Sequence, residues 1–134
     1  MKKILLLCTS ALFLTACADK QQYEAAVLAE MQAEQDVKDY KLEPEQMADC
    51  IVDLSSKKMP GVFAFDPDRL MAYQNYTKML LMHTVKDKQK MLEELRQVFG
   101  SPKDLAAAHS NYTESVMDCL AAIIKKSEPE IDES

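Results

Sequence analysis

Met79, Met82 and His83 stand at positions i, i+3 and i+4, so a helix through them carries two thioethers and an imidazole on one face. Soft sulfur with one imidazole suits Cu(I). Leu80 and Leu81 lie between these residues, and methionine is a common core filler with high helix propensity. Core packing is therefore the expected role, with metal binding as the alternative. The two histidines, His83 and His109, have no catalytic company in the sequence. There is no Glu-x-x-His pair for a di-iron bundle, no His-Glu-x-x-His for zinc and no Cys-x-x-Cys-His for haem. His109 is expected on the inner face of the last helix, hydrogen-bonded within the core. Asp49 and Asp118 each precede a cysteine, and two carboxylates brought together could raise a pKa for acid–base work. Neighbouring helical residues point about 100° apart, so both aspartates are expected to face solvent. With no recognisable nucleophile and base, the chain reads as a non-enzyme with no cofactor.

The N-terminus is built differently. Lys2 and Lys3 form a positive start, and residues 4–16 are mostly apolar, too short for a spanning helix of about 20 residues. The stretch ends in Leu14-Thr15-Ala16-Cys17, which resembles the lipobox of bacterial lipoproteins. That resemblance implies removal of residues 1–16 as a signal peptide and attachment of acyl chains (palmitate among them) at Cys17. Several acyl chains hold a small protein at a membrane, each buried methylene contributing about 0.8 kcal/mol. The residue after Cys17 is Ala18 rather than an aspartate, which by the same resemblance favours the outer membrane facing the periplasm over retention at the inner membrane.

Four cysteines then divide by context. Cys8 leaves with the signal peptide and Cys17 is taken by lipid, leaving Cys50 and Cys119 in an oxidising compartment. Their surroundings echo each other in Met47-Ala48-Asp49-Cys50-Ile51 and Val116-Met117-Asp118-Cys119-Leu120. Each lies on an apolar helical stripe, so a disulfide joining an early helix to the last one is expected. A redox or metal pair is the weaker alternative, because no Cys-x-x-Cys is present.

The elements that must position these residues are helical. The chain has 134 residues with only 2 glycines, which cannot supply the turns of a β-sandwich, a barrel or a phosphate-cradling loop. Hydrophobic residues are 48% of the chain, enough to bury a core. The net charge is −6, and about −8 once residues 1–16 are removed, which argues against nucleic acid and against attraction to anionic lipid. Residues 20–40 predict one helix with a thin apolar stripe, and Pro44 opens a second that reaches about Lys57. Asp66-Pro67 restarts a helix whose apolar phase persists to Phe99, with a break or kink expected near His83 and a Thr84–Asp87 capping box. Gly100 ends this stretch and Ser101-Pro102-Lys103-Asp104 opens the last helix.

The expectation is an all-α fold, a small antiparallel bundle of four to five helices stapled by one disulfide. Its divisions are residues 1–16 as signal peptide, 17–126 as helical domain and 127–134 as an acidic tail. Two Asn-Tyr-Thr sequons, at Asn75 and Asn111, fall inside predicted helices and are discounted. The segment Met59–Phe65 is unusually apolar for a connection. Either it plugs the bundle end, or Met59, Val62, Phe63 and Phe65 form a docking patch for a partner or the bilayer surface. Two functions follow as expectations. One is a membrane-anchored helical module that binds an unidentified periplasmic or outer-membrane protein. The other is a periplasmic copper or small-ligand carrier using the Met/His face.

Overall fold

The structure is a computed structural model that describes the backbone over residues 2–127 and the side chains over residues 17–127. The side chains of the expected signal peptide and all but the first residue of the expected acidic tail lie outside the described residues. The fold is all-α, with no strand among the described residues. The helices are α1 (Lys2–Ala33), α2 (Gln35–Asp39), α3 (Pro44–Lys57), α4 (Pro67–Leu80), α5 (Lys88–Phe99) and α6 (Pro102–Ser127), with a 3-10 turn at Leu81–Thr84 between α4 and α5.

The single helix expected over 20–40 is broken at Glu34, which adopts an extended backbone and caps α2 by accepting from the Gln35 N–H at 3.1 Å. The cause is register. Tyr23, Val27 and Met31 recur every four residues and are all buried, whereas Val37 is six residues on and off that stripe. A continuous helix would turn Val37 away from the core. The break lets it be buried at 1% exposure.

The expected break near His83 occurs, but its cap differs. Asp87, not Thr84, accepts from the Lys90 N–H to start α5, while the Thr84 hydroxyl donates back to Leu81 O. Asp66 caps α4 as read, and Gly100 closes α5 with φ of 100°. Ser101 Oγ accepts from the Asp104 N–H at the start of α6.

α3 and α6 run antiparallel and are joined covalently by Cys50–Cys119, with Cα atoms 5.9 Å apart. Further along α3 and earlier in α6, the Asn111 amide donates to Ser55 O at 2.9 Å. α4 and α5 are also antiparallel, as the pairs Asn75–Val98 and Lys78–Glu94 run in opposite senses. The pairs Asp19–Gln74 and Glu30–His83 advance together, so α1 and α4 lie side by side in the same direction.

The core is aromatic at its centre. Tyr23 stacks on Tyr73 at 5.7 Å and meets Tyr76 edge-on at 5.8 Å, and Tyr76 in turn contacts Phe99. Each such pair adds about 1 kcal/mol beyond the area it buries. Met31, Met47, Met59 and Met79 are buried, as expected of methionine in a core, while Met71 and Met117 are exposed.

Candidate functional site

Residues 58–66 connect α3 to α4 without regular structure, and local hydrogen bonds hold them. The Arg69 guanidinium reaches back to three successive carbonyls: Nε donates to Pro60 O at 2.8 Å, and Nη2 to Gly61 O at 2.8 Å and Met59 O at 3.3 Å. The Asp66 carboxylate accepts from the Val62 and Asp68 N–H groups. Those two backbone donors, with the nearby Arg69 charge, hold its carboxyl below the usual carboxylate range. Gly61 has φ of 92°, and a Cβ there would lie 2.7 Å from both the Cβ and the backbone N of Arg69. Glycine is what allows helix α4 to pack so close against the loop.

This latch decides what the apolar segment does. Met59 turns inward and is buried, so that one residue plugs the bundle end. Val62 is 92% exposed, Phe63 62% and Phe65 52%. The latch engages the carbonyls of Met59, Pro60 and Gly61 and the Val62 N–H, and the loop presents apolar side chains outward.

Beside the loop, α4, α5 and α6 enclose an open groove of about 700 Å³. Its walls include Met71, Ala72, Val98, Phe99 and Ala107, with Tyr76 and Asn111 also lining it. Met71 and Val98 are exposed, so the wall is apolar and open to solvent. Its charged lining is Lys58, Asp68, Asp104 and Glu114, predominantly acidic. Lys58 and Glu114 pair at 2.9 Å. The hydrogen bond from Lys58, then that from Ser110, lowers the Glu114 pKa, and the same pairing raises that of Lys58.

Asn111 is the residue that sequence reasoning missed. The sequence marks it only as the asparagine of a sequon, yet it is buried and its amide donates to both Ser55 O and the Tyr76 hydroxyl, each at 2.9 Å. Tyr23 and Ser55 share a further hydroxyl–hydroxyl bond at 2.8 Å. Together these groups tie α1, α3, α4 and α6 through one buried polar node. The signal was present in the spacing of Asn111, Ser115 and Cys119, two polar residues on the buried register of α6.

Met79, Met82 and His83 line a second cleft of about 540 Å³, and His109 lines it as well. The rest of its lining is mostly apolar, including Leu92, Leu95 and Leu105. His83 Nδ1 lies 2.9 Å from Leu80 O and 3.5 Å from Glu30 Oε1, so that nitrogen is already engaged. Met79 is largely buried. No group of three or more His, Cys, Asp or Glu side chains is placed to hold a metal among the described residues. His109 is exposed, not in the core as expected, because the buried register of α6 runs through Ala108, Asn111, Tyr112 and Ser115, leaving His109 one residue out of phase. Asp49 and Asp118 are both exposed.

Cys17 is exposed on α1 with a free thiol, two residues before the Asp19–Tyr23 stretch that packs against α4. No described helix is long and apolar enough to cross a membrane. Comparison of the chain with protein-family models, with curated proteins and with solved structures finds no match.

Proposed function

We propose that the chain is a membrane-anchored periplasmic lipoprotein acting as a small helical protein-interaction module without catalysis of its own. The lipobox-like Leu14-Thr15-Ala16-Cys17 supports the anchor, and acyl chains on Cys17 would hold the domain at the outer membrane. The observation that carries the binding function is the open groove between α4, α5 and α6, with exposed apolar walls and a mostly acidic rim. Its occupant is an amphipathic segment of an envelope protein, with apolar side chains for Met71, Val98 and Phe99 and basic ones for Asp68, Asp104 and Glu114. Tethering multiplies such an interaction by raising the local concentration at the membrane surface.

The test is a photoreactive amino acid at Val98 in the full chain, illuminated in intact envelopes. A discrete protein adduct that disappears in an Ala107→Arg variant, which fills the groove from an exposed helical position, supports the proposal. An adduct insensitive to Ala107→Arg, or none at all, refutes it. A second reading, a copper or small-ligand carrier, draws support from Met79, Met82, His83 and His109 lining one cleft. Titration of the same protein with Cu(I) separates the two, since binding no tighter than micromolar removes the carrier.

A further inference from the structure

The exposed loop and the anchoring cysteine lie at the same end of the molecule, and this follows from how α1 and α4 are aligned. Asp19 accepts from Gln74 at 3.1 Å, the Tyr23 ring lies on those of Tyr73 and Tyr76, and Glu30 faces His83. The two helices thus advance together in the same direction. Pro67, the first residue of α4, precedes Gln74 by seven residues, roughly 10 Å of helix. Cys17 precedes Asp19 by two, roughly 3 Å. The start of α4, and the loop before it, therefore stand level with Cys17 or several ångströms beyond it on the side from which α1 arrives.

The chemistry of the loop matches that position. Its seven residues Met59–Phe65 carry no charge, in a chain whose residues from Cys17 onward total about −8. An anionic headgroup layer does not repel this uncharged segment. Arg69 holds the carbonyls of Met59, Pro60 and Gly61, Asp66 holds the Val62 N–H, and the Phe63 carbonyl accepts from the Asp66 N–H, so these backbone groups are already paired when the loop meets the interfacial layer. Val62 and Phe63, both well exposed, lead.

We propose that the Pro60–Phe65 loop is a bilayer-contacting wedge. It seats Val62 and Phe63 in the interfacial layer of the leaflet that holds the acyl chains of Cys17, which turns a single flexible tether into a two-point attachment with a defined orientation. The proposal rests on Cys17 being acylated, and its partner is the lipid surface rather than a protein.

The experiment uses the full chain matured in its own envelope, with a diazirine amino acid at Phe63 or, as control, at Glu45. Glu45 is exposed in the first turn of α3, at the end reached from the far end of α1. After illumination, peptides are weighed for phospholipid adducts, and the N-terminal peptide is weighed for acyl chains in the same sample. Phospholipid on position 63 at least tenfold above position 45 is expected. A protein adduct at 63, or no lipid there while Cys17 is acylated, overturns the wedge. Lipid at 63 with Cys17 unmodified shows a lipid-contacting loop but overturns the two-point attachment along with the lipoprotein reading, and absence of both overturns the two together.

Discussion

Replacing both Cys50 and Cys119 by alanine should cost the domain a large share of its stability. The bridge closes a loop with a sequence separation of 69, for which the chain-entropy account gives a loss of roughly 4 kcal/mol. Cys119 is fully buried, so removing its sulfur adds a packing loss on the order of 1 kcal/mol. For a domain of this size, each kcal/mol moves the melting temperature by roughly 4 °C, so a fall of about 15–20 °C is expected. The assay is urea unfolding followed by far-ultraviolet circular dichroism, comparing the oxidised protein, the reduced protein and the double variant. If the bridge acts on the unfolded chain, the variant should also show a steeper denaturant slope, because its unfolded state expands further. A loss below about 1 kcal/mol in both the reduced protein and the variant would refute the entropic argument. A loss confined to the variant would assign the effect to packing at Cys119 instead.

Two further outcomes follow from particular residues. Gly61→Ala should unlatch the loop, because the new Cβ meets Arg69 at 2.7 Å and the backbone sits at φ of 92°; a stability loss of about 1–3 kcal/mol with faster proteolysis between residues 59 and 66 is expected, and unchanged proteolysis would count against the latch. Burial raises the pKa values of Tyr23, Tyr112 and Tyr76, so each stays neutral in the folded state at pH values where the unfolded chain ionises it. Their contribution is complete below pH about 10 and is lost as pH rises above it, so the tyrosinate absorbance of these three should appear together with the loss of helix signal; tyrosinate formation from them in a fully helical protein would contradict their burial.

Much of the architecture could be read locally. The Pro44 and Asp66-Pro67 starts, the Gly100 stop and the Ser101–Asp104 opening are governed by neighbouring residues, because the chemistry of a cap or a stop operates within one turn. The pairing of Cys50 with Cys119 was also legible, through matched stripes on two helices. The break at Glu34 was not. No glycine or proline marks it, and only competition between Met31 and Val37 for one core explains it. His109 was misplaced for a related reason: a difference of one residue in register moves a side chain by about 100°, and the choice belongs to the helices packed against α6.

The amino-acid sequence by itself determined that this protein is helical, where most of its helices begin and end, and which two cysteines form the staple. Those features depend on residue types within a turn or on a periodic stripe. Only the tertiary structure decided that Asn111 and Ser55 together join four helices, that the apolar connection turns Met59 inward and Val62 and Phe63 outward, and that this connection stands at the same end of the molecule as Cys17. The physical reason is distance along the chain. Arg69 latches a loop up to ten residues away, and the alignment of α1 with α4 brings together residues 55 apart, which no local pattern encodes.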